Sequence, residues 1–294
     1  MQAFILAAGK GTRLLPYTKY LPKPLFPIVG IPIIEIIFKQ LIKIGIKKFG
    51  VNTYHLKDKL IDFLNKLQKK YSEIEINIFE EPKLLGTGGA FLNAKSFFSS
   101  PTLIINADTI TNINFLKVLN YHFKNPYPIT MVFYKGDNNN VEINISKGIV
   151  KNFRVNKNNN LFTYTGIQVI NPDILKKFSF KEDLIEIYQE FLNKNINIGA
   201  YIIDNIYFKD IGTIENYLKV HKDILTNKVN IPEIKLSKEP FIIKTKYIGK
   251  NVKFRNWVYI EEDTFIQDNT VLCEVVTWRG ARVLSGYYEK TLLI

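Results

Sequence analysis

Over residues 1–225 the apolar positions alternate between a spacing that suits strands and one that suits helices. Short apolar runs at 3–6, 46–51 and 102–106 read as strands. Ile74, Ile76 and Ile78 alternate with polar residues, which predicts another. Ile33, Ile34, Ile36, Ile37, Leu41 and Ile44 recur at helical spacing. Residues 57–70 place Leu60, Ile61, Leu64 and Leu67 on one face of an amphipathic helix. Helices are also expected at 181–192 and 214–225. Such alternation predicts an α/β fold with a mixed, mostly parallel, Rossmann-like sheet covered by helices.

The pattern changes twice. Between 128 and 170 several strand-like runs are separated by asparagine-rich turns, Asn138 to Asn140 and Asn156 to Asn160, which predicts an antiparallel extension. Residues 226–240 carry two prolines and little periodicity, and read as a linker. Beyond it Ile248, Phe254, Ile260, Ile266, Leu272, Trp278 and Leu284 stand six residues apart. Val252, Val258, Thr264, Thr270 and Val276 each follow four residues later. A hexapeptide period predicts a short C-terminal left-handed β-helix. The expected domains are therefore 1–228 and 241–294. The three histidines, His55, His122 and His221, all precede the repeat, so acyl transfer by a histidine base on a coil is not expected there. A packing or homo-oligomerisation role is expected instead, with Trp278, Leu292, Leu293 and Ile294 as an apolar end for a partner.

Composition adds bounds. With 46% hydrophobic and 13% aromatic residues the 294-residue chain can bury a full core. Its single cysteine, Cys273, allows no intrachain disulfide and suits a reducing, cytoplasmic location. No signal sequence and no membrane-spanning run are expected. The formal charge of +13 comes mainly from lysines scattered along the chain. That suits anionic small molecules better than a nucleic-acid stripe, so no nucleic-acid partner is expected.

The most specific chemistry lies near the N-terminus. Leu6-Ala7-Ala8-Gly9-Lys10-Gly11-Thr12-Arg13 follows the first strand, and Pro22-Lys23-Pro24-Leu25 comes soon after. Glycines at 9 and 11 let backbone N–H groups approach a phosphate, while Arg13 and Lys23 supply charge. A dinucleotide fingerprint is excluded because Leu14 stands near where its third glycine belongs and prolines follow. A P-loop is excluded because no Gly-Lys-Ser/Thr tail is present. Asp108 follows the 102–106 strand and Asp210 follows the apolar 206–208 segment. Two strand-end aspartates suit a hard divalent cation, although each could instead be a turn or helix-cap aspartate. Gly86-Thr87-Gly88-Gly89 opens a helix and permits close approach of a flat ligand.

The run from Leu6 to Pro32 resembles the signature of the sugar-1-phosphate nucleotidylyltransferases. The resemblance covers residues 1–225 and implies the nucleotidyltransferase fold, with a nucleoside triphosphate and a sugar 1-phosphate as substrates and pyrophosphate as a product. It implies that Leu6, Ala8, Gly9, Gly11 and Thr12 wrap the nucleotide, with Arg13 and Lys23 as the catalytic cations. Asn52, Gly86 and Thr87 would line the base pocket. Asp108 and Asp210 would hold Mg²⁺, although Ala107 stands where the family usually has glycine. Gly166, in Tyr164-Thr165-Gly166-Ile167, would lie beneath the sugar, with Lys157 and Glu142 as further sugar-side contacts. The nearest resemblance is to mannose-1-phosphate guanylyltransferases, so GTP is the expected donor. N-acetylmuramate- or glucose-1-phosphate transfer with UTP or dTTP, and heptose-1-phosphate guanylyl transfer, are the alternatives. Some relatives are non-catalytic sensors of nucleotide sugars. Such a chain should have lost Arg13, Lys23 or an aspartate, and all four are present here.

Overall fold

A computed structural model describes residues 1–136, 139–155, 161–234 and 241–294. Lys157, Asn138, the 156–160 turn and the end of the 226–240 segment therefore lie outside the described residues. In chain order the first half comprises β1 (Gln2–Leu6), β2 (Pro27–Ile28), β3 (Ile31–Pro32), α1 (Ile33–Lys43), β4 (Lys48–Thr53), α2 (Lys57–Lys70), β5 (Glu75–Glu80), α3 (Gly86–Asn93), β6 (Thr102–Asn106), β7 (Thr109–Thr111) and α4 (Phe115–Lys124). It continues with β8 (Ile129–Tyr134), β9 (Val141–Asn144), β10 (Ile149–Asn152), β11 (Leu161–Ile170), α5 (Leu184–Asn193), β12 (Gly199–Ile202), β13 (Phe208–Asp210) and α6 (Ile214–Leu225). The C-terminal strands are β14 (Phe241–Ile243), β15 (Tyr247–Ile248), β16 (Lys253–Ile260), β17 (Phe265–Ile266), β18 (Thr270–Thr277), β19 (Arg282–Val283) and β20 (Gly286–Leu293).

These elements fall into two compact units that do not follow the expected boundary between 228 and 241. The first unit holds Met1–Lys10, Phe38–Ala107 and Ile113–Phe208; the second holds Gly11–Ile37, Asp108–Asn112 and Lys209–Ile294. In the first, nine strands form one sheet in the order β5-β4-β1-β6-β11-β8-β12-β10-β9. The pairs β5–β4, β4–β1, β1–β6 and β8–β12 are parallel. The pairs β6–β11, β11–β8, β12–β10 and β10–β9 are antiparallel. β11 also pairs antiparallel with β9, so the sheet is mixed, with four parallel and five antiparallel pairs, and not mostly parallel. Three of the antiparallel pairs belong to β11, which enters between β6 and β8 and runs against both.

Phe4 anchors the core of this unit. It lies on β1 among Phe79, Phe91, Phe97 and Phe98, with ring centroids 5.3 to 6.1 Å away. Each such aromatic pair is worth about 1 kcal/mol beyond the area it buries. The cluster thus fixes the strand from which the glycine loop departs. The helix at 57–70 forms over the expected range and buries Leu60, Leu64 and Leu67 at i, i+4 and i+7. Helix α4 was not anticipated from the apolar spacing. Asn114 caps it by accepting the Lys117 N–H, and its buried His122 meets Thr130 and Asn171.

In the second unit β14, β16, β18 and β20 stack in parallel, as do β15, β17 and β19. Partners lie 16 to 18 residues apart, as in Lys253↔Val271, Phe265↔Arg282 and Thr270↔Gly286. Asn256, Glu274 and Lys290 bend the long strands with φ of 59°, 57° and 48°. Val258, Ile260, Ile266, Leu272, Val275 and Val283 make the core of this stack. The 226–240 segment is not a bare linker, because Val229, Ile231 and Ile234 are buried.

The C-terminal strands also pack on the N-terminal loops of the same unit. Trp278 meets Phe26 edge-on at 4.8 Å and Tyr17 at 6.1 Å, and its Nε1 donates to the Tyr217 hydroxyl at 2.9 Å. Leu292 is buried, and its carbonyl accepts from the Tyr17 hydroxyl. The apolar end expected to await a partner is thus covered by the chain itself at Trp278 and Leu292. No helix among the described residues is long and apolar enough to cross a membrane.

His221 on α6 is fully buried: its Nε2 lies 3.2 Å from the Val29 N–H, and its Nδ1 lies 3.0 Å from the Tyr217 carbonyl. Those partners define a neutral ring that accepts at Nε2 and donates at Nδ1. Burial pushes its pKa down to about 4, against which the Tyr217 carbonyl acts only weakly. An unfolded histidine titrates near 6.5, so between these values only the unfolded chain gains the proton. Stability is therefore intact above about pH 6.5 and falls as the pH drops towards 4, by about 3 kcal/mol from this group. Urea midpoints followed from pH 7 to 4 should fall less steeply in His221→Gln. Equal slopes in both proteins would refute the assignment.

Candidate active site

Gly11 begins the charged cluster of the second unit. Its φ of 62° lies in the left-handed region, and a Cβ there would stand 2.9 Å from Cγ2 of Thr18. The Gly11 carbonyl accepts from the Leu14 N–H at 2.9 Å and from the Thr18 hydroxyl at 3.2 Å. The loop then proceeds through three single 3₁₀ turns, Thr12–Leu14, Tyr17–Lys19 and Lys23–Leu25. Prolines at 16, 22 and 24 keep these turns from merging into one helix. Lys23 thereby reaches Asp108, and its Nζ forms an ion pair with Oδ2 of that carboxylate. The Lys23 side chain is 12% exposed and that of Asp108 26%, so the pair is largely shielded.

Asp108 and Asp210 are brought together by a two-stranded pairing. β7 pairs with β13, and the Ile211 N–H donates to the Asp108 carbonyl at 2.9 Å. Oδ1 of Asp210 accepts from the Gly212 N–H at 3.2 Å and from Nδ2 of Asn216 at 3.0 Å. Asp210 does not cap α6. That role belongs to Thr213, whose hydroxyl accepts from the Asn216 N–H at 3.2 Å. Arg13 lies over Gly212, where a Cβ would stand 2.6 Å from its Nη2. Lys23, Asp108, Asp210 and Arg13 thus all belong to the second unit, together with Gly11 and Thr12.

Oδ1 of Asp108 and Oδ2 of Asp210 have no hydrogen-bond partner among the described residues. No group of three or more His, Cys, Asp or Glu side chains forms a metal cage among those residues. Two carboxylates with spare oxygens fit a cation such as Mg²⁺, which usually takes one or two carboxylates and completes its shell with water and substrate phosphates.

The first unit holds the remaining predicted residues that the structure describes. Leu6, at the carboxyl end of β1, pairs in register with Asn52 on β4 and Asn106 on β6. Beyond it the Ala7 N–H donates to Oδ1 of Asn52 at 2.7 Å. Nδ2 of Asn52 donates to Oε1 of Glu81 at 2.7 Å, and Oε2 of Glu81 accepts from the Leu85 N–H at 2.9 Å. Glu81 is only 4% exposed and was not singled out from the sequence. It joins the start of the glycine loop, through Asn52, to the segment that opens α3. A Cβ on Gly9 would meet nothing within 4 Å, which leaves open space over the loop beside Ala8.

The glycines of α3 make a close approach to the chain itself. A Cβ on Gly88 would stand 2.2 Å from the Lys181 carbonyl oxygen, and one on Gly86 2.4 Å from that of Glu182. Thr87 completes the seam, accepting the Leu184 N–H at 3.1 Å. Gly166 occupies an irregularity of β11, where φ is 77° and a Cβ would lie 2.4 Å from Nδ2 of Asn106. Glu142, on terminal strand β9, is paired with Lys151 at 2.8 Å. Ala107 is buried with no left-handed backbone, so alanine replaces the usual glycine without strain.

Comparison with known proteins shows the family of the chain. A family model described as "Nucleotidyl transferase" matches residues 2–227. The chain belongs to that family. It is 30% identical over 290 residues to the bifunctional protein GlmU of Methanococcus aeolicus, covering 91% of this chain and 62% of that protein. It is 32% identical over 232 residues to the D-glycero-alpha-D-manno-heptose 1-phosphate guanylyltransferase of Campylobacter jejuni, covering 74% of this chain and 97% of that one. The chain thus spans less than two thirds of that GlmU protein. A solved Bacillus anthracis structure, assigned as a glucose-1-phosphate thymidylyltransferase, has the same fold, with a TM-score of 0.66 at 18% identity over 78% of this chain and 97% of that one.

Gly212 is a residue that the sequence reading left without a role. Gly212→Ala should displace the Arg13 guanidinium, leave the thermal midpoint nearly unchanged, and lower nucleotidyl transfer by about tenfold to a hundredfold. Unaltered kcat and KM in that variant would show that Arg13 does not act from this position.

Proposed function

We propose that this chain transfers a nucleotidyl group from a nucleoside triphosphate to a sugar 1-phosphate and releases pyrophosphate. The observation that carries the proposal is the Lys23–Asp108 ion pair, set beside Asp210 and Arg13 within one compact unit. In the reaction an oxygen of the sugar 1-phosphate bonds to the α-phosphorus of the triphosphate. The bond from that phosphorus to the β-phosphate oxygen breaks, and pyrophosphate leaves with the electron pair. The attacking oxygen is already ionised near neutral pH, so no side chain has to remove a proton.

Catalysis is then a matter of position and charge. Arg13 and Lys23 bind phosphate oxygens, and the Gly11 and Thr12 backbone follows the phosphate chain. Asp108 holds the Lys23 ammonium in place before substrate arrives. Asp108 and Asp210 would hold Mg²⁺, which when bound would neutralise phosphate charge. Each such preorganised contact is typically worth about 3 kcal/mol, a hundredfold or more in rate. In the first unit Asn52, tied by Glu81, and Gly86 and Thr87 are assigned to the base, and Gly166 to the sugar. The C-terminal strands are assigned to a short left-handed β-helix, a reading supported by their parallel stacking and repeated bends.

For the substrates we assign GTP and mannose 1-phosphate. A manno-configured heptose 1-phosphate is the second reading, favoured by the similarity along nearly all of the Campylobacter jejuni enzyme. Pyrophosphate release should be measured for GTP, UTP and dTTP against mannose, manno-heptose, glucose and N-acetylmuramate 1-phosphates with Mg²⁺. Turnover should appear with GTP and a manno-configured acceptor. Turnover confined to UTP or dTTP would overturn the substrate assignment, and none with any pair would overturn the reaction.

A further inference from the structure

Trp278 stands at the first position of a hexapeptide, where Ile260, Ile266 and Leu272 belong to the core of the parallel stack. Trp278 does not share that role. Its side chain lies against Tyr17, Phe26 and Tyr217, none of which belongs to the stack. Its backbone is nevertheless held by the repeat. The Trp278 N–H donates to the Leu293 carbonyl at 2.9 Å, and its carbonyl accepts from the Ala281 N–H at 3.2 Å. The stack thus presents one anchored indole to the N-terminal loop of the same unit.

The contacts of this indole fall on both sides of Lys23. On one side is Tyr17, which opens the turn Tyr17–Lys19. Its ring lies 6.1 Å from the indole, and its hydroxyl donates to the Leu292 carbonyl at 3.0 Å. On the other side is Phe26, fully buried and 4.8 Å from the indole. The Phe26 N–H donates to the Lys23 carbonyl at 3.0 Å and so closes the turn that carries Lys23. Nε1 of Trp278 adds a third hold, because it donates to the Tyr217 hydroxyl, which in turn donates to the Pro27 carbonyl. Between these anchors Pro22 and Pro24 fix φ on either side of Lys23. What freedom remains lies in the lysine side chain, which ends on Asp108.

We propose that Trp278 is a positioning residue for nucleotidyl transfer, setting the Lys23 ammonium through Tyr17 and Phe26. The inference rests on the reaction proposed above, in which Lys23 binds phosphate oxygens. It gives the C-terminal strands a part in the rate of the reaction as well as in the packing of the unit. Misplacing a catalytic group by about 1 Å lowers a rate by as much as about a hundredfold. A clamp on the backbone around Lys23 therefore has a kinetic signature that loss of stability alone does not reproduce.

Single-turnover pyrophosphate release should be measured at saturating substrate for Trp278→Leu and Trp278→Phe, each with Lys23 intact and in the Lys23→Ala background. Trp278→Leu should lower the rate by about tenfold or more when Lys23 is present, and by less than about twofold when it is absent. Trp278→Phe keeps a ring against Phe26 but loses the donor to Tyr217. It should show a smaller loss with the same dependence on Lys23, and it carries the test where the leucine variant does not fold. Val283→Ala, in the core of the stack, should lower the thermal midpoint and leave the rate unchanged. Unaltered rates in both Trp278 variants would overturn the proposal. So would equal losses with and without Lys23, or a loss in Val283→Ala that matches the one in Trp278→Leu. Wild-type protein that turns over no substrate pair would instead overturn the reaction, and the inference with it.

Discussion

The ion pair between Lys23 and Asp108 is the constraint around which the second unit is arranged. A lysine ammonium and a carboxylate shielded from water attract strongly, but removing either leaves the other uncompensated. The loop from Gly11 to Leu25 must therefore deliver Lys23 to a fixed place. A left-handed glycine, three short turns and three prolines achieve this without a continuous helix. The pairing of β7 with β13 then sets Asp210 beside Asp108. Asn216 and Gly212 complete the arrangement, one by holding the Asp210 carboxylate and the other by leaving room for Arg13.

The C-terminal strands bear on the same unit. Tyr217 donates to the Pro27 carbonyl and accepts from Trp278, while Trp278 packs against Phe26 and Tyr17. Burial drives the Tyr217 phenol far above its ordinary pKa, so it remains a neutral hydrogen-bonding group. His221 adds a neutral ring between the Val29 amide and the Tyr217 carbonyl. The hexapeptide segment is therefore part of the scaffold beneath the loop that carries Lys23. This explains why the compact units do not divide at the 226–240 segment.

Local signals were legible where neighbours in sequence are also neighbours in space. The 57–70 and 214–225 helices and the 102–106 strand were readable from apolar spacing alone, and Thr213 marks the start of α6. The family signature identified Arg13, Lys23, Asp108 and Asp210, and the structure brings these four into one unit. What escaped depends on distant partners. Glu80 and Glu81 look alike in sequence, yet Glu80, at the end of β5, is paired with Lys57 and Glu81, just beyond it, is buried against Asn52. His122 interrupts an apolar face and is buried only because Thr130 and Asn171 satisfy its two nitrogens. Trp278 looked like an exposed end because Phe26, its cover, lies far along the chain. The antiparallel course of β11 depends on pairings with β6 and β8 that no short window contains.

The most direct test of the central claim is a double-mutant cycle on Lys23→Ala and Asp108→Asn, read as the single-turnover rate of pyrophosphate release. If the two residues act as one preorganised unit, either substitution alone removes most of the rate and the second adds little. Losses that simply multiply in the double variant would contradict the account, because they would show that Lys23 and Asp108 contribute independently.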